Sequence, residues 1–423
     1  MPSVFFYLVA TLLISLNFVR LFGLAISDWL YFTALGFAFI ETLFFDKKHF
    51  HCWTKNPLFL PASLILFGAI VSSLRARDIR VAIIEIIQQI YVITLFLSLT
   101  WIMVKRGYTR LIVKAFILSG LFTSSIALID FAFGLRLGPQ LSATPNSYLW
   151  YRYAGTLGHP NKFGYFVTLT SILSLEIWIN IKKSHIKKVV WGLMLGIQIF
   201  AIVLSGSVTA YLGLALGFFA LLSTRTFRIS FIRFVLPIIW IISLLIMGAS
   251  LFNKGLDITE SQYEDSIIGR SIDRVEQITA QSRMGVYREA LYEISSSPFV
   301  GVGYDQMSTS GISQESRILD YSVHNSLLQN FYIGGLFSFL GWLAIYIYIA
   351  KLVMKTLKQE KLPLQGYSAI PGCAFAILIM DQFQDAIYQR EKWLVFGLLV
   401  GYISWQAMHK CKVNKQKGVF NEA

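Results

Sequence analysis

Charge is scarce in this chain. Only 14% of its 423 residues are Asp, Glu, Lys or Arg, against about a quarter in soluble domains. That is too little to cover a water-exposed surface, and it excludes a string of soluble globular domains. Cysteine is rarer still: Cys52, Cys373 and Cys411 are the only three and lie far apart. Such spacing excludes a disulfide framework or a cysteine metal site, and isolated thiols of this kind read as inert. Aromatic residues are abundant by contrast, with 34 Phe, 20 Tyr and 10 Trp, which excludes a disordered chain.

Hydrophobic residues make up 55% of the sequence and mean hydropathy is +0.60. They are gathered in continuous runs near 3–19, 27–45, 58–74, 81–104, 111–133, 163–181, 189–204, 209–224, 234–252, 323–350, 366–381 and 391–408. A bilayer-spanning helix needs about 17–25 such residues, so the runs predict an all-α polytopic membrane protein of about twelve helices. Strands of a membrane barrel would alternate apolar and polar residues, and these runs do not. The first run lacks a basic leader and a small-x-small cleavage site, and it reads as a retained helix.

The net charge of +14 divides into two chemically distinct sets. Basic clusters at Lys47, Lys48 and Lys55, at Lys105, Arg106 and Arg110, at Lys182 to Lys188, at Arg225 to Arg233, at Lys351 to Lys361 and at Lys410 to Lys417 all fall on one side if both termini are cytoplasmic. The positive-inside rule and anionic lipid account for them, with no nucleic-acid partner. The opposite side then carries short turns, a segment near 134–162 and a large one at 253–322. Its only lysines are Lys162, Lys254 and Lys392; the rest of its basic residues are arginines, including Arg20, Arg136, Arg270, Arg274, Arg317 and Arg390. On this division residues 1–409 form the transmembrane domain and 410–423 a basic cytoplasmic tail.

Arginine presents a planar fork that matches phosphate oxygens and keeps its charge in poorly hydrated surroundings. Arg75, Arg77 and Arg80 cluster on the side where basic residues are disfavoured. They either pair with Asp78 and lipid phosphates or hold an anionic substrate. Glu85, just beyond them, reads as a neutralising partner for Arg77 or Arg80. Asp130, Asp381 and Asp385 lie near outer helix ends, the last two at i,i+4 spacing.

Three polar, turn-rich entries to helices lie on this same side. Arg152-Tyr153-Ala154-Gly155-Thr156-Leu157-Gly158-His159-Pro160-Asn161 precedes one run, and Val323-His324-Asn325-Ser326 opens another. Residues 281–303 read as a short amphipathic helix carrying Arg283 and Arg288, closed by Pro298 and a Gly301-x-Gly303 turn. A histidine at a membrane helix end is either an interfacial polar group or part of a site.

At these residues the sequence resembles the O-antigen ligase and polymerase family of bacterial membrane glycosyltransferases. The matching stretches are Gly155 to Asn161, Leu204-Ser205-Gly206-Ser207, Ser282-Arg283 through Pro298-x-x-Gly301-x-Gly303, and His324-Asn325; with helix number and the large loop, the likeness covers most of residues 60–400. Two departures stand out. Val208 occupies a place where the family usually has a diphosphate-binding arginine, and Tyr287 one where Trp is frequent.

The resemblance implies transfer of a glycan from a polyprenyl diphosphate carrier to the hydroxyl of a glycan or lipid acceptor, outside the cytoplasmic membrane and with inversion. Cleaving the sugar–phosphate bond develops negative charge that preorganised arginines would stabilise without a metal or other cofactor; Asp257, Glu260, Glu264 and Asp265 leave a weak metal alternative. Arg283, Arg288, Arg152, Asn161, Arg75, Arg77 and Arg80 are the expected donor-binding residues. His324 is the expected general base, since an imidazole of pKa about 6.5 takes up a proton near neutrality. Asn325 would orient the imidazole or the acceptor, whereas His159, in a Gly-His-Pro-Asn turn, is expected to tolerate replacement. The alternative reading is a polytopic transporter or flippase, although no repeat is evident. Ligase and polymerase share the donor chemistry and are not separated by these residues.

Overall fold

A computed structural model describes residues 1–16, 20–21, 24–44, 56–94, 99–135, 140–142, 151–222, 281–306, 323–358, 369–384 and 386–404. The helices are α1 (Pro2–Leu12), α2 (Ile26–Phe44), α3 (Phe59–Ser73), α4 (Ile79–Val92), α5 (Thr100–Lys105), α6 (Thr109–Phe133), α7 (Pro160–Asn180), α8 (His185–Ser205), α9 (Val208–Leu222), α10 (Gln281–Ser296), α11 (Ser326–Lys358) and α12 (Ala369–Met380). A further helix, α13, spans 390–404. Two short antiparallel pairs accompany them, β1 (Arg20–Leu21) with β2 (Leu24–Ala25) and β3 (Gln140–Ser142) with β4 (Tyr151–Tyr153). The continuous-run reading does not include these pairs. They occur in the connections, where backbone groups without helical partners pair with one another.

Among the described residues four helices are long and apolar enough to cross a membrane: Thr109–Phe133, Pro160–Asn180, His185–Ser205 and Ser326–Thr356. Pro2–Leu12, Phe59–Ser73, Val208–Leu221 and Ala369–Met380 are apolar but shorter. The expected run at 234–252, the segment 253–280 and the tail from 405 lie outside the described residues.

Local signals explain where the helices begin. Asp78 caps α4 by accepting from the backbone N–H groups of Arg80 and Val81, and Ser184 caps α8 through Lys187 N–H. Of the expected run at 81–104, α4 and α5 are described and 95–98 lie outside the described residues. The buried residues Ala82, Glu85, Gln89 and Val92 form one stripe of α4, whereas Ile83, Ile84, Ile87 and Ile90 are exposed. That stripe sits under other chain segments: Tyr388 Oη donates to the Glu85 carbonyl, Tyr304 Oη to Gln89 Oε1, and Tyr91 Oη to Asp28 in the first turn of α2. The amphipathic α4 therefore packs along the end of the bundle where α2 begins.

Buried polar groups are joined across helices. At one end Arg106 Nη1 meets Glu41 Oε2 at 2.7 Å, and Ser3 Oγ donates to the same oxygen. At the other, Arg390 Nη2 pairs with Asp28 Oδ2 at 2.5 Å. Glu176 Oε2 accepts from Ala369 N–H at 2.8 Å, tying α7 to the start of α12. Cys373 is buried on α12.

The α11 helix is broken at Gly335, whose φ of 64° and ψ of −164° are non-helical. A side chain there would strike the carbonyl of Phe299, so only glycine fits. The break frees backbone groups that find partners outside the helix. Val302 N–H donates to the Tyr332 carbonyl, Leu336 N–H to the Pro298 carbonyl, and Ser72 Oγ to the Ile333 carbonyl. Irregular backbone within an apolar helix is tolerable where protein, not lipid, surrounds it. The Pro298–Gly303 turn is thereby stitched into the bundle.

Candidate active site

One end of the bundle gathers the starts of α7, α9, α11 and α13 and the ends of α8 and α12. The α7 helix starts where the sequence places it, with His159 as N-cap and Pro160 in the first turn. His159 Nδ1 accepts from Asn161 N–H at 3.1 Å, which leaves the imidazole proton on Nε2. Burial, then the neighbouring Arg152 and Lys162 charges, then His324 push this imidazole down to about 4. His159, expected to tolerate replacement, is a neutral capping acceptor within electrostatic reach of His324.

Arg152 reaches over this capped turn from β4. Its Nη2 donates to Asn161 Oδ1 at 2.6 Å and its Nε to the Ser205 carbonyl at 2.8 Å. Gly206 ends α8 with φ of 55°, and a Cβ on it would come within 3.3 Å of Arg152 Nε. The guanidinium thus lies directly on the Ser205-Gly206-Ser207 turn. Ser205 Oγ accepts from Ser207 N–H at 3.2 Å, and Ser207 Oγ from Ala210 N–H at 3.4 Å, which sets the turn between α8 and α9.

His324 lies just before Asn325, the cap of α11. It is the sole non-glycine with positive φ, 49°, among the described residues. Asn325, expected to orient the imidazole or the acceptor, is the N-cap of α11. Its Oδ1 accepts from Leu327 and Leu328 N–H at 3.0 and 2.9 Å, and its Nδ2 donates to Gln382. The side chain caps the helix and starts α11 at Ser326, three residues later than the apolar run suggests.

Beneath α11 lies a polar cluster not foreseen as such. Asp381 Oδ1 accepts from Tyr165 Oη at 3.0 Å, and Oδ2 from Tyr346 Oη at 2.5 Å and Lys392 Nζ at 3.1 Å. Both ion-pair side chains are 0% exposed, and Nζ lies 4.3 Å from the centre of the Trp342 ring. Lys392 is therefore no surface charge of an outer loop. A lysine this far from water needs a carboxylate partner, and Asp381, just past the end of α12, supplies it. Asp385 lies outside the described residues, and α12 ends at Met380, before the i,i+4 pair could form.

The Arg75–Arg80 loop docks on the turn that follows α10. Arg75 Nη1 donates to Ser297 Oγ, while the buried Asp305 carboxylate accepts from Arg77 and Asp78 N–H at 3.0 and 3.1 Å. The Arg75, Arg77 and Arg80 side chains are exposed, and Glu85 is buried. Arg283 and Arg288 lie on α10, with their side chains outside the described part of the structure. The arrangement thus brings together Arg152, His159, Asn161, Lys162, the Ser205–Ser207 turn and His324, and it anchors the second arginine group on Ser297 and Asp305.

Residues 192–343 match the family model described as O-antigen ligase. Over that segment the chain is similar to the O-antigen ligase family. The match takes in most of α8, the Ser205–Ser207 turn, α10, His324 and the Gly335 break, whereas Arg152, His159, Asn161 and Lys162 precede it and Asp381 and Lys392 follow it. With the apolar helices, it supports a function in glycan transfer at a membrane. No curated protein matches the chain.

Proposed function

We propose that the chain transfers a glycan from a polyprenyl diphosphate carrier to an acceptor hydroxyl on the outer side of the cytoplasmic membrane, with both termini cytoplasmic. The observation that carries this reading is the convergence of Arg152, Lys162, His159 and His324 at one end of the bundle, within the O-antigen ligase family segment or beside it. His324 takes the proton of the attacking hydroxyl. Negative charge then develops on the leaving diphosphate, and cationic side chains fixed before the reaction stabilise it. Arg152 suits that role because both of its bonded nitrogens are already held. It lies on the Ser-Gly-Ser turn that Val208 follows, beside the place where the resembling family usually has an arginine. His159, neutral at pH 7, offers its Nε2–H as a further donor. Arg283, Arg288, Arg75, Arg77 and Arg80 are the further arginines assigned to the donor diphosphate.

The test is reconstitution of purified protein in vesicles with a polyprenyl-diphosphate glycan and an acceptor. Release of free polyprenyl diphosphate together with growth or capping of the acceptor supports transfer. Movement of the intact lipid-linked glycan between leaflets, without cleavage, would replace this reading with a flippase.

A further inference from the structure

His324 sits in a left-handed backbone conformation, which a residue with a Cβ adopts only when its surroundings impose it. The two residues that follow are bound to one neighbouring segment by five hydrogen bonds. Asn325 Nδ2 donates to the Gln382 carbonyl and to Gln382 Oε1, both at 3.3 Å. Ser326 N–H donates to the Asp381 carbonyl at 2.8 Å and Ser326 Oγ to the Gln384 carbonyl at 2.9 Å, while Ala386 N–H returns a bond to Ser326 Oγ at 3.0 Å.

This segment is itself fixed from below. Asp381, its first residue, is locked by Tyr165, Tyr346 and Lys392 in a cluster sealed from solvent. Moving the segment would pull a carboxylate off a buried lysine, and an unpaired buried charge is costly. The chain of constraint therefore runs from the α7, α11 and α13 helices through Asp381 to Gln382 and Ser326, and ends at His324. Asn325 adds the bond to α11 itself, so the backbone after His324 is held from both sides.

We infer that the segment Asp381–Gln384 with Ala386 is a clasp that sets the position of the His324 imidazole, with Ser326 and Gln382 as positioning residues for proton transfer. The inference rests on the proposed role of His324 as the base. A base misplaced by about 1 Å costs up to roughly 100-fold in rate, so a fixed backbone at this point has a direct kinetic use. None of the clasp residues needs to touch substrate to act.

The test compares Ser326→Ala, Gln382→Met and Gln382→Glu in the purified full-length protein. Ser326→Ala removes both hydroxyl bonds; Gln382→Met removes the side-chain acceptor of Asn325; Gln382→Glu keeps that acceptor. The first readout is the rate at which diethyl pyrocarbonate acylates His324, followed by mass spectrometry at fixed pH. Loss of these hydrogen bonds is expected to change that rate about fivefold in Ser326→Ala and Gln382→Met. Gln382→Glu should stay near wild type. The second readout is kinetic: kcat falling about 10- to 100-fold in the same two variants, with the donor KM within about twofold. If Ser326→Ala fails to fold, the partly exposed Gln382 pair decides alone. An unchanged His324 acylation rate in the folded variants would overturn the clasp. Acylation requires no turnover, so a wild-type protein that transfers no glycan would overturn the proposed function while leaving the clasp open to confirmation by this first readout.

Discussion

Arg152 and Asn161 are joined by a 2.6 Å hydrogen bond from Nη2 to Oδ1, which ties β4 to the first turn of α7. The same guanidinium holds the Ser205 carbonyl through Nε, so one side chain fixes three segments around the candidate site. Lysine at this position would keep the charge but not the fork. Arg152→Lys is expected to lower kcat/KM for the lipid-linked donor by about tenfold or more, since one or two charge-assisted bonds are lost. Steady-state rates over a donor series in vesicles check this.

His159 supplies a pH dependence of stability. Its imidazole titrates at about 4 in the fold and near 6.5 when unfolded. Between those values the unfolded chain binds a proton that the folded chain refuses, so the stability it contributes is complete above about 6.5 and is lost as pH falls toward about 4. Asparagine preserves the cap and does not titrate. The melting temperature of His159→Asn should therefore fall less than that of the wild type between pH 6.5 and 4, as followed by thermal unfolding in detergent.

Gly335 is where the α11 break meets the Pro298–Gly303 turn. With φ of 64° and the Phe299 carbonyl in the way, Gly335→Ala is expected to destabilise the protein by about 2 kcal/mol or more. Gly196 on α8 is the opposite case, since a Cβ added there would meet no atom within 4 Å. Gly196→Ala should be neutral or stabilising by up to about 1 kcal/mol. A thermal-unfolding comparison of the two variants measures the difference.

What could be read from the sequence was what local chemistry dictates. Continuous apolar runs announced the helices, and the Gly-His-Pro-Asn and His-Asn stretches marked the starts of α7 and α11 because capping depends on adjacent residues. The α10 helix and its closing turn followed from Pro298 and the Gly301-x-Gly303 spacing in the same way. Contacts made only by the fold were hidden. Nothing near Lys392 in the sequence announces its burial against Asp381, Tyr165, Tyr346 and Trp342. Nothing near Arg152 announces the Ser205 carbonyl. The break at Gly335 looks like one more glycine in an apolar run until Phe299 is seen against it. Asn325 reads as a substrate group because its type permits that, whereas its geometry assigns its oxygen to two backbone N–H groups.

The central claim is that His324 accepts the proton of the acceptor hydroxyl. The most direct measurement is glycan transfer by purified His324→Gln at saturating donor, alongside binding of the lipid diphosphate. Glutamine retains hydrogen-bonding capacity but cannot collect the proton, so transfer should fall by about 100- to 10,000-fold with donor binding nearly unchanged. Transfer at close to the wild-type rate would contradict the assignment.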